Sequence, residues 1–392
     1  MKPETSLTQL SEVQVYSRFD DLPAPYQALF HTCSQNTGFF MSTPWFRHLS
    51  TTGMPAEMQL RIYAVQALVD QTKVYAVLPM CHESNARWRH GARVLRALAT
   101  YYSAQYAPLL DLSAPPDVQL AMLTALARHI SVEVPRWDMV AVQPMHQASA
   151  AYPLVLQAFS AAGLAVDHYF CYGNWSVAIL PDNDGQRSYA RYRDNLPSRL
   201  KHTLTRKTAQ LNKNQRLRME IFTTEADARI QISNYLRIYE RSWKNQEPYP
   251  EFMPGWILES ARQQWLRLGI ATIDEQPAAA QIWLVEKTNT QTKAYIYKLA
   301  HDRRYDQTSV GSLLTEHLMR YVIDTDQVDA VDFLHGDEKY KQDWMSERSE
   351  FRGMIAYNRI TLKGRIAYGV LKAGRYLKQL GRFKPSSSTV TE

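Results

Sequence analysis

Apolar and polar positions alternate most regularly in the second half of the chain. The run LGIATIDEQPAAAQIWLVEKTNTQTKAYIYKLAH (268–301) holds three extended stretches parted by two turn-rich breaks, DEQP at 274–277 and KTNTQTK at 287–293. Three strands with such short breaks predict an antiparallel meander. In the last stretch strict alternation puts Tyr295, Tyr297 and Leu299 on one face, with Ile296, Lys298 and Ala300 on the other. A polar loop, DRRYDQTSVG (302–311), leads into SLLTEHLMRYVID (312–324), where Leu314, Leu318, Tyr321 and Val322 form a helical stripe. VDAVDFL (328–334) then reads as another strand. Strand, crossover helix and strand give one parallel, right-handed β-α-β unit. Ligands in such sheets bind beyond the carboxyl ends of the strands.

Ahead of this unit the periodicity predicts helices at 198–213, 226–245 and 254–268, the last closed by Gly269 as C-cap, with Pro197 opening the first. The first half repeats the order loosely. A hairpin turns around DQTK within 60–80, a helix covers 115–130, and WDMVAVQPM (137–145) is a strand. A helix to Gly163 and a strand pair through Trp175 complete it. The expected class is α+β: tandem domains, each a mixed sheet of antiparallel meander plus one parallel β-α-β unit, flanked by helices. The expected division is residues 1–175, 176–365 and a tail at 366–392.

Composition narrows the class. A chain of 392 residues with 45% hydrophobic content is long enough for two domains with real cores. Cys33, Cys81 and Cys171 are few and widely spaced, which fits a reducing compartment and no zinc knuckle. The polar start MKPETSLTQLSE lacks a secretory pattern, and no apolar run nears the roughly 18 residues of a membrane span. The expected location is cytoplasmic. The net charge of +7 is local: 195–219 holds seven Lys/Arg and 359–384 eight, with no acid in either, while the remainder is acidic. On a helix, Ile366, Val370, Ala373, Leu377 and Leu380 face away from Arg365, Lys372, Arg375, Lys378 and Arg382. Such a helix either packs its apolar stripe on its own domain or lies on an anionic membrane. SSSTVTE at the end reads as a disordered tail.

Three stretches carry candidate chemistry. Thr308-Ser309-Val310-Gly311-Ser312 puts a glycine before a helix start, where free N–H groups and the dipole favour an anion; ordinary capping is the alternative. DFLHGDEKYKQDW (332–344) gathers carboxylates, a histidine and a tyrosine at a strand tip. A metal reading would use Asp332, His335, Asp337 and Glu338, but no second cluster stands nearby, so no metal is expected. Acid–base chemistry fits better, with Asp337 as cap of a following helix. Glu240-Arg-Ser-Trp-Lys244, before a Pro/Tyr loop, offers Trp243 and Lys244 as an acceptor-pocket wall.

These residues together resemble a known family. AYIYKLAHDRRYDQTSVGSLLTEHLMRYVI followed by DFLHGDEKYKQDWMSER is similar to GNAT-superfamily acyltransferases of the cellulose-biosynthesis acetyltransferase type, and FFMSTPWFRHL, TYYSAQYAPLL, GNW and LPSRLKHTLTRKTAQL have counterparts there. Fem-type aminoacyl transferases share the tandem arrangement. Val310 departs from the usual proline and His335 from a small or polar residue. The resemblance implies a thioester donor, acyl-CoA or acyl carrier protein, and an amine or hydroxyl on a small-molecule, glycan or peptide acceptor. It implies donor binding at Thr308, Ser309, Val310, Gly311, Ser312 and Leu313. Asp332 or His335 would be the base and Tyr340 the acid. Tyr297, Lys298, Asp302 and Lys341, with Trp243 and Lys244, would bind acceptor or phosphate. The basic helix 198–218 would draw the donor's phosphates or an acidic carrier protein. Envelope or exopolysaccharide metabolism is the expected setting. The competing expectations are a non-catalytic scaffold of a membrane synthase, or tRNA-dependent aminoacyl transfer, although nucleic acid is not the favoured partner.

Overall fold

The computed structural model describes residues 7–83, 91–183, 185–213 and 216–382, with side chains from 9 to 373; the SSSTVTE tail and the outer part of the basic helix's side chains lie outside that set. In chain order the first half contains β1 (Leu7–Leu10), β2 (Gln14–Tyr16), α1 (Ala24–Thr37), α2 (Thr43–Thr52), β3 (Met58–Val69), β4 (Thr72–Glu83), β5 (Val94–Ala97), β6 (Leu109–Leu110), α3 (Pro116–Val132), β7 (Met139–His146), α4 (Ala151–Ala161) and β8 (Ala165–Ala178). The second contains α5 (Tyr189–Asp194), α6 (Ser198–Asn212), β9 (Leu217–Phe222), α7 (Glu225–Glu240), α8 (Phe252–Arg262), β10 (Leu266–Ile273), β11 (Gln276–Lys287), β12 (Thr292–His301), α9 (Val310–Asp324), β13 (Ala330–His335), β14 (Glu347–Tyr357) and α10 (Leu362–Arg382).

The expected α+β pattern is present twice. Antiparallel β3-β4-β5 passes into a parallel β5/β7 pair across α3, and antiparallel β9-β10-β11-β12 passes into a parallel β12/β13 pair across α9. All fourteen strands among the described residues join one sheet, ordered β1-β3-β4-β5-β7-β14-β8-β13-β12-β11-β10-β9, with β2 on β3 and β6 on β4. β14, from the far end of the chain, lies between β7 and β8 of the first half. The halves therefore leave no free sheet edge between them.

The hairpin turns follow the sequence signals. Asp70-Gln71 and Asp274-Glu275 take left-handed φ values, the geometry of two-residue hairpin turns. Three expectations fail for physical reasons. The helix placed at 254–268 is α8, which stops at Arg262; Gln264 turns left-handed (φ 63°) and the chain becomes β10. Gly269 is a strand residue under α9, where an added Cβ would stand 2.7 Å from Leu318 Cδ1, so it serves close helix-on-sheet packing and caps nothing. The strand pair ending at Trp175 is one fourteen-residue strand, β8, held on both sides by β13 and β14. The alternation in β12 breaks at a bulge: Ile296 pairs Trp283 while Lys298 pairs Ile282, leaving Tyr297 as the extra residue. Tyr297 and Lys298 then share a face, and Leu299 moves to the α9 side.

One buried contact ties the first half to the second. Glu286, on β11, is 5% exposed and accepts the N–H of Phe39 at 2.7 Å. Phe39 itself packs against Tyr295, Trp256 and Trp265. Burial pushes the Glu286 carboxyl up to about 8, only partly offset by the Phe39 N–H.

Because that carboxyl is raised when folded, the unfolded chain ionises first as pH rises from about 4.5 to 8, and native stability is lost across that window. Glu286→Gln should match wild type at pH 4 and exceed it at pH 8 by on the order of 4 kcal/mol in urea unfolding. Gly269→Val should cost about 1–3 kcal/mol by overpacking α9, and Leu318→Ala in the same chain should restore part of the loss.

Candidate active site

β12 and β13 hydrogen-bond only through the pairs Lys293–Ala330, Ala294–Val331 and Tyr295–Asp332. Past these they part. Leu334 adopts φ 56° and swings His335 over to β8, opposite Asn174. The Asp332 carboxylate holds this turn by accepting the Leu334 N–H at 2.8 Å, and Lys293 Nζ neutralises it at 2.6 Å. Asp332 is 5% exposed and so forms the root of the fork. Among the described residues, the backbone groups of β12 that face β13 beyond Tyr295 have no strand partner.

On the α9 side of the fork lies a cleft of about 330 Å³, lined by Leu299, Ala300, His301, the Ser309–Ser312 segment, Tyr340 and Trp344, with Trp243 over its rim. The loop that feeds it is stapled by Asp302: its carboxylate accepts the Arg304 N–H at 2.9 Å and pairs with the Arg304 guanidinium at 2.7 Å. Burial alone would raise that carboxyl, but the Arg304 bonds and Arg241 hold it below its ordinary value. Ser309 takes φ 59° as the residue before α9 and Thr308 Oγ1 accepts the Val310 N–H, whereas the N–H groups of Gly311 and Ser312 start a helix and have no helical carbonyl. Buried Gln281 fixes that helix start by donating to Gly311 O and Thr315 Oγ1, both at 2.8 Å. Gly311 sits against His301, whose Nε2 meets Asp306 at 2.9 Å, while Trp243 lies over the same imidazole with ring centroids 4.6 Å apart. α6 packs beside this loop, with Lys207 donating to Gln307 O, so the basic helix borders the α9 start.

Tyr340 lies edge-on to Phe333 (centroids 5.6 Å) and remains 43% exposed to the cleft. Burial and the nearby Glu338 carboxylate raise its phenol, which keeps its proton. Lys341 is buried: its ammonium donates to His335 O at 2.7 Å and pairs with Glu338 at 2.9 Å, above the Phe333 ring. It thus clasps the strand-tip loop. Asp337 caps no helix, a correction to the sequence expectation. Its carboxylate accepts from Trp175 Nε1 at 2.9 Å and pairs with Arg348 at 2.6 Å, directly above Gly173, and the turn after it is a 3₁₀ segment without a side-chain cap. Arg348 lowers that carboxyl further.

A second, larger cleft of about 570 Å³ opens between the two halves, lined by Thr100, Tyr101, Ser103, Gln143, Phe170, Tyr172 and His335. His335 has one side open to solvent, yet the cleft walls desolvate its ring and push it down to about 4, helped by the ammonium groups of Lys341, Lys298 and Lys244. It is neutral at neutral pH. Next to Tyr101, Lys298 pairs with Glu247 at 2.9 Å and lies over the Tyr101 and Tyr102 rings. Burial and Lys298 lower Lys244 to about 8. Tyr297 donates its phenolic O–H to Tyr102 O and is buried beneath this wall. Sequence reasoning missed Gln281, Glu247, Tyr101 and Tyr172. Gln281 alone carried a signal, as the one polar residue inside the apolar run AAAQIWLV; the others converge only in three dimensions.

Residues 198–342 match a family model described as an acetyltransferase (GNAT) domain. No curated protein matches the chain by sequence. Among solved structures, FemX superposes with a TM-score of 0.59 at 9% identity, covering 88% of this chain and 98% of that one. A conserved protein of unknown function from Bacteroides thetaiotaomicron superposes at 0.52 and 8% identity, over 87% and 100% of the two chains. A tandem GNAT protein from the clavulanic acid biosynthesis pathway gives 0.47 at 12% identity, over 88% and 98%. At these identities the likeness is one of fold.

The Lys341 clasp has a measurable consequence. Lys341→Met should cost about 1–3 kcal/mol in urea unfolding, because carbonyls of the strand-tip loop lose a buried charged donor, and a temperature factor or hydrogen-exchange probe should report the loosening at residues 335–344 first.

Proposed function

We propose that this chain is an acyltransferase that moves an acyl group from a thioester, acyl-CoA or an acyl carrier protein, to an amine or hydroxyl of a sugar-containing acceptor in envelope or exopolysaccharide metabolism. The observation that carries this reading is the loop 335–344, which contributes His335 to the inter-half cleft and Tyr340 and Trp344 to the α9 cleft. Two ligands entering from the two clefts meet at one forked strand tip. The α9 cleft suits the donor. Gly311 and Ser312 N–H groups with the helix dipole suit its phosphates, the unpaired edge of β12 suits the amides of its pantetheine arm, and α6 adds positive charge nearby. The inter-half cleft suits the acceptor. Exposed faces of Tyr101 and Phe170 offer platforms for a sugar ring, and Ser103 and Gln143 offer hydrogen bonds.

In the transfer, the acceptor's nitrogen or oxygen attacks the thioester carbonyl carbon and its proton passes to neutral His335. The carbon–sulfur bond then breaks and the Tyr340 O–H protonates the leaving thiolate, giving acylated acceptor and free thiol. Solvent takes the proton from His335 and restores the one on Tyr340. Asp332, buried and paired with Lys293, shapes the fork; Lys298, paired with Glu247, backs the Tyr101 wall of the acceptor cleft.

The reading is tested by thermal unfolding with CoA and a series of acyl-CoAs, followed by a thiol-release screen. The expected result is a stabilising shift with thioesters and a 10²- to 10⁴-fold loss of rate in His335→Ala and Tyr340→Phe. The active base is the neutral imidazole, so kcat/KM should stay flat through neutral pH and fall only as pH drops toward about 4. Full activity in both variants would sink the residue roles. Absence of a shift with every thioester, with salt-sensitive RNA binding instead, would replace acyl-thioester chemistry with aminoacyl-tRNA chemistry; absence of both would leave a scaffold.

A further inference from the structure

The last helix resolves an ambiguity that periodicity left open. An amphipathic helix ordinarily turns its apolar stripe onto its own domain. α10 docks with a different face: Ala367, Tyr368 and Leu371 pack against Ala92, Met139 and Tyr357, and Gly364 is buried with no space for a Cβ, which would stand 2.2 Å from Asn358 O. The stripe Leu362, Ile366 and Val370, at spacings of four, is left facing outward at 68%, 57% and 68% exposure, and Ile360 just before the helix is 68% exposed. Four large aliphatic side chains so exposed in one short segment are not ordinary surface scatter.

Charge says what covers them. Lys363 flanks the stripe on one side and Arg365 and Lys372 on the other, all exposed, and Arg359 stands at its start. No acid occurs between residues 359 and 384. The sequence extends the same stripe with Leu377 and Leu380, whose side chains lie outside the described residues. Among the described residues no helix is long and apolar enough to cross a membrane. A second copy of this chain laid stripe to stripe would bring the basic flanks together, in a chain whose net charge is already +7.

We propose that α10 is a membrane-surface helix: Ile360, Leu362, Ile366 and Val370 enter the acyl boundary of an anionic phospholipid bilayer, while Arg359, Lys363, Arg365 and Lys372 bind its headgroups. The helix is anchored to β14 and β7 through Tyr357 and Met139, so the whole sheet is held at a fixed orientation to the lipid surface. This inference is independent of the acyl-transfer reading.

The test is flotation of the full chain with vesicles of phosphatidylcholine, with and without 30% phosphatidylglycerol. Wild type should float with the anionic vesicles, at least tenfold less with neutral ones, and binding should fall steeply between 50 and 500 mM NaCl. Ile366→Asp with Val370→Asp should lower the bound fraction at least tenfold, and so should Arg365→Glu with Lys372→Glu. All four positions are exposed, so circular dichroism and the unfolding midpoint should be unchanged. Failure of wild type to float, or flotation unaffected by the aspartate pair, would overturn the proposal. So would a concentration-dependent dimer in sedimentation that the aspartate pair dissolves, since the stripe would then be covered by a second copy.

Discussion

The short partnership of two parallel strands governs this molecule. β12 and β13 share three residue pairs and then diverge, and two residues past the last pair Leu334 turns left-handed and carries His335 to β8. Leu334 takes that conformation at a cost that the Asp332 carboxylate offsets by capping the Leu334 N–H, and Lys293 in turn makes a buried carboxylate tolerable there. The fork that results leaves β12 with an unpaired edge and opens a cleft on each side. The bulge at Tyr297 adds a second adjustment, turning Lys298 toward the Tyr101–Tyr102 wall and Leu299 toward the α9 cleft. Two local departures from regular strand geometry thus send neighbouring side chains to opposite sides of the fork.

Rigidity around the fork comes from the far ends of the chain. β14 closes the sheet between β7 and β8, and β8 in turn pairs with β13, so the strand tip bearing His335 is braced by strands from the first half. Buried polar contacts do the fine positioning. Gln281 sets the start of α9, Lys341 clasps the tip loop, and Asp302 staples the loop between β12 and α9. Each is a charged or amide group that bonds both a loop backbone group and a side chain, which ties the loop to its surroundings. The Arg348–Asp337–Trp175 contact serves the outer rim of the same loop.

Electrostatics then separates the two faces of one loop. His335, partly desolvated by the cleft walls and within the field of Lys341, Lys298 and Lys244, is held neutral, while Tyr340, five residues on, is held protonated. In the transfer proposed above, a proton taken at one ligand and returned at the other would use such a pair, whose environments push the two groups in opposite directions.

The residue pattern by itself determined the element order, the meander passing into a β-α-β unit, the turns at 274–275 and 70–71, and the neighbourhood of residues 302–312 and 332–344. These rest on local periodicity and turn chemistry, which act over a few residues. Three things depended on tertiary contact. Gly269 looked like a helix stop because its neighbours are apolar either way, and only the weight of α9 above it shows why the site is a strand without a side chain. The face of Lys298 could not be read by alternation, since a bulge is set by cross-strand register. Asp337 carried the local signature of a cap, yet Arg348 and Trp175, distant in sequence, outbid the helix N–H groups for its carboxylate. The outward stripe of α10 follows the same logic: sequence drew an apolar and a basic face, and the packing of Gly364, Ala367 and Tyr368, which belong to neither, left both turned outward.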